Sequence, residues 1–275
     1  FRAVQGHRGP VIVEFFWPTD RAYMEDLAAA LPDFLVEFSP ESHDPVVRKA
    51  SGKGYTNAGI ERTIAASLAA GARRFDLFFM IGLSRQTPAS ALETVAYCRE
   101  LLARFDDGRL IPFTSPLAPF LDPGSLAYEQ PERHGYLRHA TTLEAHRQLL
   151  LQPSWKYILS YETRWMDRHA LADVTYEAGF RLNRLKREVG LASAEKAAET
   201  EARIAEARAL MAQIDALLAT HTGAALEREL LALKPRIDAA NTSTVCDKSE
   251  LDVPVGPIPF KVLNLVKVGL GGGGD

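Results

Sequence analysis

The stretch Phe34-Leu-Val-Glu-Phe-Ser-Pro-Glu-Ser-His-Asp44 decides the fold, together with a second one, Phe75-Asp-Leu-Phe-Phe-Met-Ile-Gly-Leu83. Each opens as a short run dense in aromatic and branched apolar residues, the composition of a buried strand. The first run ends in a polar cluster, and the second ends at Gly82. Between them Ile60, Ile64 and Leu68 recur on one helical face, with Thr56 or Asn57 as the cap and Gly71 as the stop. Strand, helix and strand in this order call for parallel pairing through a right-handed crossover. Polar groups bunched where such strands end are where β/α proteins place their chemistry.

The same alternation extends outward. Val11–Phe16, fenced by Pro10 and Pro18, reads as a strand, and a helix over Arg21–Leu31 stops before Pro32. Thr87-Pro88 opens a helix whose stripe is Ala91, Val95, Cys98, Leu102 and Phe105, and Leu110–Phe113 reads as a last strand. The expected fold is therefore α/β, a partial TIM-like barrel of about four β/α units, too few to close, with a C-terminal helical extension. Thr114–Pro131 is too rich in proline for regular structure and is expected to be an ordered loop over the strand ends. Residues 141–189 read as two helices, with Tyr157, Tyr161 and Trp165 at spacing four. A long amphipathic helix is predicted over Ala192–Ala219, with Ile204, Ala207, Met211, Ile214 and Leu218 on its stripe, continued by Ala224–Leu233. Phe260–Gly269 alternates enough for a strand. The expected divisions are 1–131 for the barrel part, 132–240 for the helical extension and 241–275 for the tail.

A chain of 275 residues with 47% apolar content can bury a full core. Its net charge of −3 and pI near 6.2 give no general attraction to nucleic acid or to an anionic membrane. Two cysteines, Cys98 and Cys246, fit neither a disulfide framework nor a zinc site, so a reducing compartment is expected. With no apolar run long enough to span a bilayer, the expected location is the cytoplasm.

Glu-Ser-His-Asp after one strand and Phe-Met-Ile-Gly-Leu-x-x-Gln-Thr closing the next resemble the second half of a radical S-adenosylmethionine (SAM) barrel, in particular of the enzymes that carry a cobalamin-binding domain ahead of it. Ser243-Thr-Val-Cys-Asp-Lys248 extends the likeness into the tail. The resemblance implies SAM as cofactor, reductive SAM cleavage or cobalamin-dependent methyl transfer as activity, and a four-iron four-sulfur cluster held by a CxxxCxxC loop. That loop is absent here. The chain begins at Phe1, within what reads as a helix leading to a strand, and is therefore taken as a C-terminal fragment, inactive alone. Its expected partners are the N-terminal half, which would bring the cluster and any cobalamin domain, and a small-molecule substrate.

By the same resemblance Ser39 and Glu41 contact the ribose or methionine part of SAM, while Ile81 and Gly82 lie against adenine. Residue chemistry alone also allows Ser39 and Asp44 to be turn and helix caps, and Gly82 to be a turn glycine. Glu14, Glu37 and His43 are candidates for a substrate pocket. Glu14 and Glu37 fall within predicted buried strands, where a carboxylate needs either a ligand or an ion-pair partner. No metal-ligand spacing occurs among the seven histidines. Gly82-Leu-Ser-Arg-Gln86 lacks the last glycine of a nucleophile elbow. Two other classes stay open: a non-catalytic barrel remnant that binds a partner through the long helix, and a metal-independent lyase or isomerase on a complete barrel.

Overall fold

The computed structural model describes residues 7, 9–116, 120–241, 254–255 and 258–259. Four parallel strands form its main sheet in the order β1-β2-β3-β4: β1 Val11–Phe15, β2 Phe34–Glu41, β3 Phe75–Ile81 and β4 Leu110–Pro116. Helices α1 (Arg21–Ala30), α3 (Asn57–Ala69) and α4 (Pro88–Arg104) make the crossovers, with a short α2 (Pro45–Ala50) ahead of α3. Strand order that follows chain order, joined by right-handed crossovers, puts all three crossover helices on one face. That face holds the core. Phe34, Val36 and Phe38 of β2 and Phe75, Leu77 and Phe79 of β3 are at most 1% exposed there, packed with Met24, Leu27, Ile60, Ile64 and Cys98 of the helices.

The expected caps form. Thr56 Oγ1 accepts the Gly59 amide of α3, and Thr87 Oγ1 accepts the Ser90 amide of α4, with Pro88 in its first turn. The opposite face differs in chemistry. Side-chain alternation puts Ile12, Glu14, Leu35, Glu37, Asp76, Phe78 and Met80 on it. Ile12 is 57% exposed, and no crossover helix lies over it. The strands pair as in a partial β/α barrel, and the described residues show no closure.

After β4 come α5 (Leu126–Glu129), α6 (Pro131–His134), β5 (Tyr136–Arg138), α7 (Leu143–Leu150), α8 (Trp155–Ile158), β6 (Tyr161–Thr163) and α9 (Arg168–Glu188). The two helices expected over 141–189 are thus three, and Tyr161 lies in a strand. Aromatic spacing alone suggested helix, but Tyr136, Leu137 and Arg138 pair antiparallel with Thr163, Glu162 and Tyr161. That contact is non-local and leaves no mark in the local pattern. Helix α9 packs on α4 and β4.

Two long helices follow, α10 (Ala194–Thr220) and α11 (Gly223–Asn241), and then a two-stranded ribbon of β7 (Pro254–Val255) and β8 (Ile258–Pro259). The chain divides into two compact units, Phe1–Arg208 and Ala209–Asp275. On the α10 stripe Met211 and Ile214 are buried, as is Leu233 of α11. The expected tail strand Phe260–Gly269, Cys246 and the Ser243–Lys248 motif lie outside the described residues. No helix among the described residues is long and apolar enough to cross a membrane.

Candidate functional site

Strand β2 runs three residues further than its apolar core because its pairing with β3 shifts register between Phe38 and Glu41. Ser39 and Pro40 occupy that irregularity, where the missing proline amide costs no ladder bond. Glu41 then turns through φ 67°, the left-handed region that a side chain rarely adopts. Such a conformation costs about 1–3 kcal/mol and persists only where its surroundings hold it.

Two cations hold it. Lys53 Nζ donates to the Ser39 carbonyl oxygen and to Glu41 Oε1, the latter at 2.6 Å. Arg48 is 0% exposed. Its Nη1 donates to the carbonyls of Ser42 at 2.8 Å and His43 at 3.2 Å and to Asn57 Oδ1 at 2.7 Å, while Nε donates to the Tyr55 carbonyl at 2.8 Å. Carbonyl dipoles therefore replace water around this guanidinium, and burial still pulls its pKa down. Glu41 Oε2, Arg48 Nη2 and the Tyr55 hydroxyl are buried without a hydrogen-bond partner among the described residues. An acceptor left without a donor at a buried strand end is uncommon in a settled core.

Strand β3 ends in a tied turn. Gln86 Oε1 accepts the amides of Gly82 at 2.9 Å and Leu83 at 3.3 Å, and its Nε2 donates to the Met80 carbonyl at 2.9 Å. The Tyr136 hydroxyl accepts the Ser84 amide at 3.0 Å and donates to the Gly82 carbonyl at 3.3 Å. Beside these two strand ends lies a cavity of about 490 Å³ whose lining includes Glu41, Lys49, Met80, Leu83, Ser84 and Tyr136. The lining is mixed. Leu121 and Leu126 add apolar surface, and Ser51, Asp122 and His134 add polar groups, the usual make-up of a small-molecule site.

Of the residues singled out from sequence, the structure brings Glu41 to this cavity. Ser39 is 7% exposed and gives Lys53 its carbonyl. Ile81 is 2% exposed, on the helix-covered face. Gly82 has φ 101°, and a Cβ there would stand 2.9 Å from the Tyr161 hydroxyl and 3.3 Å from Leu171 Cδ2. The group that approaches this glycine closely is the chain's own Tyr161. His43 turns toward α4, where its Nδ1 lies 2.9 Å from Thr94 Oγ1 and its ring packs near Tyr97. Burial lowers its pKa, which favours the neutral imidazole. Asp44 is a cap: its carboxylate accepts the Val46 amide at 2.8 Å and the Ser90 hydroxyl at 3.0 Å.

Glu14 and Glu37 lie away from the cavity, on the face without crossover helices. The register aligns Glu14 with Glu37 and Glu37 with Asp76, a row of carboxylates across three strands. Burial, and then the charges of Asp76 and Glu14, raise the Glu37 pKa. Arg48, Lys53, Gln86 and Tyr136 were missed as parts of the site. Gln86 carried a signal, since it follows the end of β3 closely, whereas Arg48, inside α2, and Lys53, beyond it, read as surface cations. Tyr136 joins through the tertiary fold alone.

The residues present do not fit an iron–sulfur cluster. Such clusters take several thiolates. Cys98 is 0% exposed in the core, and burial pushes its thiol up to about 12. Among the described residues no group of three or more His, Cys, Asp or Glu is arranged to hold a metal ion.

No protein-family model and no curated protein matches the chain. Among solved structures it is similar to the radical S-adenosylmethionine methyltransferase TsrM from Kitasatospora setae, determined with tryptophan substrate and a SAM analogue. The identity is 17% and the TM-score 0.40, over 64% of this chain and 36% of that one. The chain therefore spans well under half the length of that protein.

Proposed function

We propose that the ends of β2 and β3 form part of an S-adenosylmethionine pocket of the radical SAM kind. In this reading the chain takes part in reductive SAM cleavage or in cobalamin-dependent methyl transfer. Glu41 is the observation that carries it: a carboxylate at a strand end, lining a cavity, with one oxygen held by Lys53 and the other without a donor. The sequence resemblance through Glu41-Ser-His-Asp44 and Phe79–Leu83 agrees with that placement. SAM, when bound, supplies an activated methyl group or the precursor of a carbon radical. Glu41 Oε2 accepts a hydrogen bond from its ribose hydroxyl or ammonium group, and Lys53 fixes the carboxylate for that contact. Gln86 holds the Gly82–Leu83 turn beside it. No residue of this chain is assigned to the cluster or to cobalamin. Residues outside this sequence would bring both, along with part of the substrate pocket.

Calorimetric titration of the protein with SAM tests the reading. A charge-assisted hydrogen bond contributes roughly 1.5–3 kcal/mol, so Glu41→Ala should weaken SAM binding about ten- to hundredfold. Glu41→Gln, which keeps an acceptor for Lys53, should weaken it less. If Glu41 serves only the turn, Glu41→Ala lowers the melting temperature and leaves the dissociation constant unchanged. That outcome removes Glu41 from the site.

A further inference from the structure

Among the described residues two that are not glycine hold a positive φ, and they stand at the ends of neighbouring strands: Glu41 of β2, at 67°, and Arg85 just past β3, at 66°. Strain of this kind gathers where a ligand is clamped. Arg85 closes the turn Gly82–Arg85, which buried side chains tie from two sides. Gln86, 1% exposed, holds the Gly82 and Leu83 amides and the Met80 carbonyl. Tyr136, 8% exposed, accepts the Ser84 amide and donates to the Gly82 carbonyl. The amides of Gly82, Leu83 and Ser84 are thus all fixed within the protein.

This turn gives Leu83 and Ser84 to the lining of the 490 Å³ cavity that Glu41 also lines. Ser84 is 6% exposed, and its hydroxyl makes no hydrogen bond among the described residues; the bond that holds it runs through its amide. A hydroxyl in a nearly buried cavity wall costs free energy until something bonds it. Met80 and Leu83, which line the same cavity from the same strand end, are apolar. The wall at this point suits a neutral polar group on a ligand.

We propose that Ser84 Oγ hydrogen-bonds the ligand of the strand-end cavity, and that Tyr136 is the residue that positions it. The proposal rests on the SAM reading of that cavity: the group Ser84 selects belongs to the uncharged nucleoside part of SAM, not to its charged amino-acid end. Tyr136 acts through the Ser84 amide. Its hydroxyl spans from the Gly82 carbonyl to that amide, at 3.3 and 3.0 Å, and so sets where Oγ stands before a ligand arrives.

The test titrates the full chain by calorimetry with SAM and with 5′-methylthioadenosine, which keeps the nucleoside and lacks the amino-acid end. Ser84→Ala removes one neutral hydrogen bond and should weaken both ligands about two- to tenfold. The melting temperature should not change, because Oγ bonds nothing in the free protein. Unchanged affinities in Ser84→Ala overturn the contact, and a loss for SAM alone overturns its assignment to the nucleoside. Glu41→Ala keeps the two readings apart: SAM affinity lost there but kept in Ser84→Ala removes Ser84 and leaves the pocket. No binding of SAM to the wild type overturns both. Tyr136→Phe should weaken binding in the wild-type background and add nothing in Ser84→Ala, whereas a merely structural Tyr136 costs affinity equally in both. If Tyr136→Phe fails to fold, hydrogen exchange at the Ser84 amide decides its role. Protection already present without ligand supports a turn fixed in advance, and protection gained only with SAM overturns it.

Discussion

Glu37 shows how one residue's environment sets its chemistry. It stands in register between Glu14 and Asp76, and like charges directly opposite on paired strands are destabilising by roughly 0.2–1 kcal/mol. Its pKa in the folded protein is raised above the ordinary 4.5. The folded state therefore binds more protons than the unfolded one in that window, and stability falls as pH rises through it. Above the window the penalty is complete. Glu37→Gln should thus raise the urea midpoint at pH 7 and have no such advantage at pH 4, below the unfolded value. An equal gain at both pH values would mean that charge is not the cause. The sequence showed that Glu14 and Glu37 sit in strands, but not that they share a row, because a row exists only once register is fixed. Arg48 was invisible for a similar reason. An arginine two residues into the text after Pro45-Val reads as a surface cation, yet the carbonyls of Ser42, His43 and Tyr55 converge on it only in the folded turn.

At the scale of elements, Gly82 couples the end of β3 to the later hairpin. Its φ of 101° and the 2.9 Å approach of the Tyr161 hydroxyl both exclude a side chain. Gly82→Ala should cost about 2–3 kcal/mol through strain and overpacking together. Adding Tyr161→Phe removes the hydroxyl contact and should return part of that cost, while the backbone strain stays. A double-mutant cycle of melting temperatures measures the coupling, and strict additivity would show that the hydroxyl is not the obstacle. Caps and strands with local signals were legible: Thr56, Thr87-Pro88, and the apolar runs at Phe34 and Phe75. The β5–β6 hairpin was not, since three-residue strands carry too short a pattern and draw their stability from pairing across more than twenty residues of chain.

For the whole molecule, β1 is an edge strand: among the described residues it pairs with β2 alone, and Ile12 on its open face is 57% exposed. Unpaired backbone groups beside exposed apolar surface favour association. Sedimentation should show concentration-dependent self-association, and Ile12→Lys should reduce it. A wild-type monomer at high concentration would remove β1 as a sticky edge. The amino-acid sequence by itself determined the β/α alternation, the parallel sheet and the strand end on which Glu41 sits, because hydrophobic period, proline and cap residues act within a few positions of chain. Only the tertiary structure decided which polar groups meet. It gave Glu41 to Lys53 and the cavity, His43 to Thr94, Gly82 to Tyr161, and Lys186 to the Phe113 ring. Each of these depends on register, crossover direction and the return of α9, which are fixed by burial summed over the whole core and not by any neighbouring residue.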